Sequence, residues 1–290
     1  MRTKRMNKFS SKTKHIFASA AIAGVMAFSG SAVAGPFILA GTDADDHGSV
    51  SGGVNQDGWF FMQRSLENLA VAASLTNTNK HVVNLGSLSG SQAGSAAASA
   101  FGLSSLVGSG WSFSNVDGAT DITNFFNGTG TVNINNTSLI MMDSGQNVGG
   151  GSDATERGIF TTNASVIDTF LGNGGGLFSQ ANGYGWVSAL LPSLTVVSGQ
   201  SSGISLTAAG SAAFPSLTNA DLSAGPYHNE FTNIGALTVL GEETATGDFV
   251  IIGSSGGSVS APTPVPEPGM IAIFAIGLAG LGFARRKRTA

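Results

Sequence analysis

The chain has no cysteine among its 290 residues. Disulfide bonds, thiolate metal sites and a cysteine nucleophile are therefore excluded. A folded domain of this chain must be stabilised by its apolar core alone. Because 42% of the residues are apolar, the composition is that of a folding chain and not of a disordered one.

Positive charge is almost missing from the middle of the chain. Between residues 35 and 260, three cationic side chains stand against sixteen acidic ones, a formal charge of −13; the cations are Arg64, Lys80 and Arg157. Nucleic acid is excluded as a partner, since almost nothing here neutralises phosphates. The negative charge is compatible with binding of divalent cations, or with solubility outside the cell.

The first 34 residues have the pattern of a secretory signal peptide. Residues 1–14 carry six cations and no acid, and an apolar stretch follows from Ile16 to Phe28. Ala32-Val33-Ala34 then gives the small-x-small pattern that signal peptidase cuts, so the mature chain is expected to begin at Gly35. A retained transmembrane helix is the alternative, but thirteen apolar residues are too few to span a bilayer.

A three-part segment ends the chain. The motif Val265-Pro266-Glu267-Pro268 comes first, an apolar run from Gly269 to Ala284 follows, and the basic cluster Arg285-Arg286-Lys287-Arg288 closes the segment. As a helix, the apolar run would be about 24 Å long, shorter than the roughly 30 Å hydrocarbon core. We expect a short transmembrane helix with its basic end in the cytoplasm. An ordinary membrane anchor is the alternative interpretation.

This order of motif, short apolar helix and basic tail resembles the PEP-CTERM sorting signal of exported bacterial proteins. The resemblance implies that an exosortase, a membrane enzyme, cuts the chain near the motif. It implies a protein of the cell envelope, cell surface or extracellular matrix, anchored in the inner membrane until processing, with exopolysaccharide or biofilm as its setting. The chain then divides into a signal peptide (1–34), an exported domain (35–253), a Gly/Ser/Pro linker (254–264) and the sorting signal (265–290).

The exported domain alternates apolar strands with amphipathic helices. Continuous apolar runs at 37–40 and 138–142 indicate buried strands. A Gly/Ser loop follows, and then apolar residues recur at steps of three and four, which predicts a helix from about Gln56 to Ser74. The apolar residues are Trp59, Met62, Leu66, Leu69 and Ala73. Arg64 and Asn68 are expected on the polar side of this helix. This alternation predicts an α/β fold, a three-layer sandwich with a mostly parallel central sheet.

A second resemblance rests on a helix followed by Gly174-Gly175-Gly176-Leu177-Phe178 and a polar turn. This run is similar to a segment of class I glutamine amidotransferase-like domains, including the ThuA-like branch. The residue that faces the site in that family would be Ser179 or Gln180 here, where amidotransferases need Cys and the ThuA-like branch commonly has His. The amidotransferase reaction is therefore excluded, and the resemblance implies the scaffold alone. The glycines can equally be a plain helix end and strand start.

Ligands bind at the carboxyl ends of parallel strands, and that rule selects the candidate site residues; they are Asp43, Asp45, Asp46, His47, Asp143, Gln180 and His228. The turn at 43–48 matches the first half of EF-hand spacing, but Val54 stands where that loop needs a Glu, so an EF-hand is rejected. A looser Ca²⁺ site and a hydrogen-bonded Asp-rich turn both remain open.

Two functions from different classes follow. The first is a non-catalytic binding or structural protein of the cell surface or matrix, with no catalytic residues and no resident cofactor. The second is a hydrolase on a degenerate amidotransferase-like scaffold, in which His47 or His228 acts with a nearby Asp. A pocket that brings both histidines and a carboxylate within hydrogen-bond reach would favour the enzyme.

Overall fold

The structure is a computed structural model that describes residues 35–180, 185–199, 203–223 and 229–254. Several predictions fall outside these residues: the signal peptide with Ala32 and Ala34, His228, the linker after Ser254, and the sorting signal. Within the described residues, no helix is long and apolar enough to cross a membrane.

The chain forms twelve strands and eight α-helices in the described residues. The strands are β1 (Phe37–Ala40), β2 (Gly48–Ser51), β3 (Val54–Gln56), β4 (His81–Leu85), β5 (Ser112–Val116), β6 (Leu139–Met142), β7 (Gly176–Ser179), β8 (Thr195–Ser198), β9 (Ile204–Leu206), β10 (Asn229–Thr232), β11 (Thr238–Glu243) and β12 (Phe249–Gly253). The helices are α1 (Asp57–Ala70), α2 (Gln92–Gly102), α3 (Ser105–Gly108), α4 (Ala119–Asn127), α5 (Ala154–Thr162), α6 (Ala164–Gly172), α7 (Val187–Leu190) and α8 (Ala208–Ala213).

The central sheet is mixed, with its parallel part as the sequence predicts. Five strands run parallel in the order β5-β4-β6-β7-β1, and β12, β10 and β8 continue the sheet in antiparallel pairing. β11 pairs with β12, and β9 pairs with β11. The α/β class and the parallel central strands are confirmed, whereas the antiparallel extension was not predicted.

Apolar side chains fill two cores because each central strand sends alternate residues to opposite faces. In β1, Ile38 and Ala40 belong to one core, which also takes side chains of α1, α2 and α8. Phe37 and Leu39 belong to the other core, with side chains of α4, α5 and α6. Helices therefore cover both faces of the sheet, which explains why the central strands are apolar throughout.

Helix α1 follows the predicted apolar stripe with two corrections. Met62, Leu66 and Leu69 are buried as expected, but the helix ends at Ala70 and leaves Ala73 exposed. Asn68 was predicted on the polar side, but it is buried. Its Nδ2 donates to the backbone oxygen of Ala213 at 3.0 Å, which compensates for the burial of the amide. The amide makes contact with α8, so a polar side chain is accommodated in the interface.

Two elements were missed by the sequence reading. The expected Gly/Ser loop is the hairpin β2–β3, whose turn is formed by Gly52 and Gly53, both at positive φ. Helix α5 begins at a capping box, in which Asp153 accepts from the Glu156 amide and the Glu156 side chain accepts from the Asp153 amide. The spacing Asp-x-x-Glu was the signal for this helix.

Candidate functional site

The carboxyl ends of four parallel strands meet at one edge of the sheet. The segments after β1, β4, β6 and β7 supply polar side chains there, and those of Asp45, Ser87, Asp143 and Gln180 are at most 2% exposed. Direct hydrogen bonds join these segments to one another. The structure thus brings together Asp45, Asp143 and Gln180, as the strand-end rule predicts.

Asp143 is held by four donors. Its Oδ2 accepts from the Ser87 hydroxyl at 2.7 Å and from the Ser152 amide at 2.9 Å. Its Oδ1 accepts from the Ser152 hydroxyl at 2.7 Å and from the Gly145 amide at 2.9 Å. Burial raises the pKa of Asp143, and these four hydrogen bonds oppose that rise because they favour the ionised form.

Asp45 has far fewer partners. Its Oδ2 accepts from the Ser144 amide at 2.9 Å, and Ser144 is the one residue whose hydrogen bonding lowers its pKa. Burial, followed by repulsion from Asp143, raises the pKa of Asp45 from 3.8 to about 7, against hydrogen bonding from Ser144. Burial thus raises the pKa of both acids, and the fewer donors at Asp45 do less to oppose that rise.

Gln180 links the end of β7 to the turn after β1. Its Oε1 accepts from the Thr42 hydroxyl at 3.1 Å and from the Ala44 amide at 3.0 Å. The Ala44 N–H can only donate, which fixes the amide orientation and makes Nε2 the free end. In the described part of the chain, the buried Gln180 Nε2 has no hydrogen-bond partner.

Asp43, Asp46 and His47 form a separate group on the same turn. His47 Nε2 lies 3.3 Å from Asp43 Oδ2 and 3.6 Å from Asp46 Oδ2. Gln92 Nε2 donates to Asp46 Oδ1 at 2.7 Å and holds that carboxylate in place. The three side chains offer ligand atoms within 4.8 Å of one another. Asp45 is not in this group, because its Oδ2 accepts from the Ser144 amide instead.

Ser87, Ser152 and Thr42 are the site residues that the sequence reading missed. Ser87 follows β4 after Gly86, and the strand-end rule would have selected it. Ser152 lies in a Gly-rich loop, and no sequence pattern marks it. His228 lies outside the described residues, so its convergence with His47 stays a prediction.

Comparison with known families identifies one segment. Residues 264–288 match the family model of the PEP-CTERM protein-sorting motif. The chain carries a PEP-CTERM signal. This motif indicates an exported protein that exosortase processes, and it agrees with the motif, apolar run and basic tail read from the sequence. No curated protein and no solved structure matches the chain. The amidotransferase-like resemblance therefore stays a prediction.

Proposed function

We propose that this PEP-CTERM protein is a non-catalytic binding protein of the cell envelope or extracellular matrix, with exopolysaccharide as its ligand. The ligand site is the strand-end cluster, defined as the buried polar groups after β1, β6 and β7. One observation carries the proposal: Gln180 Nε2, directly after β7, is a buried donor without a hydrogen-bond partner in the described residues. Such atoms are rare in folded proteins because each is costly to bury.

Binding fits this geometry better than catalysis does. Asp143 accepts four hydrogen bonds and so is not free to take a proton from a substrate. Gln180 Nε2 is a donor, and the Ser144 hydroxyl can accept as well as donate, so these two groups complement sugar hydroxyl groups. The acidic domain has little with which to bind an anionic polymer, so a neutral glycan segment is the better fit.

A direct test compares two serine variants. Ser144→Ala removes a buried hydroxyl of the strand-end cluster, and Ser65→Ala removes a buried hydroxyl of α1, away from the cluster. We expect Ser144→Ala to weaken binding to purified host exopolysaccharide about three- to tenfold, one hydrogen bond being worth about 1 kcal/mol. Ser65→Ala should leave binding unchanged. Equal affinities for the two variants would contradict a ligand at the strand-end cluster.

Hydrolysis is the second candidate, and the contact between His47 and Asp43 favours it. A carboxylate 3.3 Å from His47 Nε2 can orient an imidazole for general-base work, and His47 is only half-buried and so open to a substrate. The test is release of new reducing ends from the same polysaccharide. Turnover that is lost in His47→Gln would replace the binding proposal with an enzyme.

A further inference from the structure

The turn after β1 places an imidazole and two carboxylates beside one another. The ligand atoms of Asp43, Asp46 and His47 all lie within 4.8 Å of one another. Both carboxylates approach the same atom, because His47 Nε2 is 3.3 Å from Asp43 Oδ2 and 3.6 Å from Asp46 Oδ2. One ring nitrogen carries at most one hydrogen, which it donates to a single acceptor. Hydrogen bonding therefore accounts for one of these two contacts and not for both.

The separations between these atoms fit the coordination shell of a small metal ion. Zn²⁺ binds imidazole nitrogen and carboxylate oxygen at about 2.1 Å, so two ligand atoms of a tetrahedral site are roughly 3.4 Å apart. The distances from His47 Nε2 to the two carboxylate oxygens, 3.3 and 3.6 Å, are close to that value. The three side chains would therefore need little movement to bind one ion.

Neighbouring helices hold this turn in place. Gln92 of α2 donates from Nε2 to Asp46 Oδ1 at 2.7 Å, so Oδ2 is the oxygen that remains for His47. The His47 backbone oxygen accepts from the amide of Gly58, in α1, at 2.8 Å. Residues outside the ligand set thus orient one carboxylate and the backbone of the imidazole, and such support is what a metal site requires.

In the described part of the chain, no lysine or arginine balances the two carboxylates. The three such side chains of the domain, Arg64, Lys80 and Arg157, make their contacts with other residues. Asp43 is only 4% exposed, and a buried carboxylate is costly unless a positive charge lies close to it. A divalent cation between Asp43 and Asp46 would supply that charge.

We propose that Asp43, Asp46 and His47 bind one divalent transition-metal ion, with Zn²⁺ as the ion to test. The imidazole selects the class of metal, since nitrogen ligands suit Zn²⁺ and its first-row neighbours, whereas Ca²⁺ and Mg²⁺ take oxygen ligands. The side chains of His47 and Asp46 are 30% and 32% exposed, which gives the ion a path from solvent. This site lies beyond the proposed glycan site and shares no residue with Asp45 and Gln180.

Calorimetric titration of the EDTA-treated mature protein with zinc chloride tests the site. We expect one Zn²⁺ to bind per chain, and His47→Gln to weaken binding at least about tenfold because it removes the nitrogen ligand. Asp121→Asn, which changes an exposed carboxylate of α4, is the control and should bind zinc as the wild type does. Equal zinc affinities for wild type and His47→Gln would overturn the proposal, because zinc would then bind the acidic surface in general.

Thermal unfolding gives a second measurement of the same site. An ion that binds only the folded state raises the melting temperature, so zinc should raise that of the wild type above the value in magnesium chloride at equal concentration. Asp46→Asn keeps the shape of a half-buried side chain and should fold normally, yet it should lose this additional rise. A wild-type melting temperature that is the same in zinc and in magnesium would overturn the site. No glycan enters either measurement, so failure here leaves the proposed binding function untouched.

Discussion

At the residue scale, Asp45 and Asp143 show how hydrogen-bond partners give two identical side chains different surroundings. Both carboxyl groups are buried at the same edge, but Asp143 accepts four hydrogen bonds from three residues, whereas Asp45 is hydrogen-bonded by Ser144 alone in the described structure. The sequence predicted that both lie at strand ends. It could not predict their partners, because Ser87 and Ser152 come from segments 56 and 9 residues away.

The raised pKa of Asp45 predicts a pH-dependent stability. The unfolded residue titrates near 3.8 and the folded residue near 7, so the folded state holds the extra proton between these values. The contribution of Asp45 to the free energy of unfolding is therefore highest below pH 3.8, where both states are protonated. It falls by up to about 4 kcal/mol as the pH rises from 3.8 to 7. Asp45→Asn removes this loss, so we expect its unfolding free energy, relative to wild type, to rise over that window.

Urea unfolding of both proteins between about pH 4 and pH 8 measures that difference. Asp121→Asn is the control, since it changes an exposed carboxylate of α4. If the curves for wild type and Asp45→Asn run parallel, Asp45 titrates in the folded protein as it does in the unfolded chain.

Asp143→Ala should be among the most destabilising single changes in the domain. The substitution leaves two serine hydroxyls and two backbone amides without their acceptor in a buried place, and we expect a loss of about 3 kcal/mol or more. Ser87→Ala removes one of the four bonds and should lose about 1 kcal/mol. A double-mutant cycle by urea unfolding checks the coupling, and additive losses would show that the Ser87 bond contributes nothing.

At the element scale, the segment from α6 to β7 was the clearest success of the sequence reading. Gly174, at φ +79°, ends the helix, and β7 begins at Gly176. Short elements with long-range partners were the failures. The hairpin β2–β3 looked like a Gly/Ser loop because Val50 and Val54 are its only apolar side chains, and both are exposed. The buried residue of β3 is the polar Asn55, so the hairpin leaves no apolar period in the sequence.

Gly175 should tolerate no side chain. A Cβ there would lie 2.3 Å from the ring of Phe170, which belongs to the core beside α6. We expect Gly175→Ala to lower the unfolding free energy by about 1–3 kcal/mol, the usual effect of overpacking. Gly172→Ala is the matched control, because a Cβ at that position meets nothing within 4 Å. Equal melting temperatures would show that Phe170 moves aside freely.

At the scale of the whole molecule, the parallel strands were predictable and the antiparallel ones were not. Strands such as β6 are apolar throughout, so the sequence alone predicts them as buried strands. β9 and β10 are three and four residues long and mix polar with apolar side chains, and their pairing with distant strands decides their structure. The convergence of the polar side chains at the strand ends follows from the parallel order alone. The position of the candidate site was therefore predictable from the sequence, whereas its hydrogen bonds were not.

The charge of the domain gives a last prediction. Each of its three cations already has a local partner: Arg64 pairs with Glu67 at 2.6 Å, Lys80 Nζ donates to the Ser109 oxygen at 3.1 Å, and Arg157 donates to the Ser152 oxygen. Most of the acidic side chains therefore repel one another without compensation. Added salt screens that repulsion, since the Debye length falls to about 10 Å at 0.1 M and about 3 Å at 1 M.

We expect sodium chloride to raise the melting temperature of the mature protein, and calcium chloride at equal ionic strength to raise it by the same amount. This expectation follows from the turn at 43–47, where His47 already contacts both carboxylates and a hard cation such as Ca²⁺ binds imidazole poorly. Asp43→Asn/Asp46→Asn is the diagnostic variant. An additional rise with calcium that disappears in this variant would show a bound cation, because binding to the folded state alone raises stability with ligand concentration.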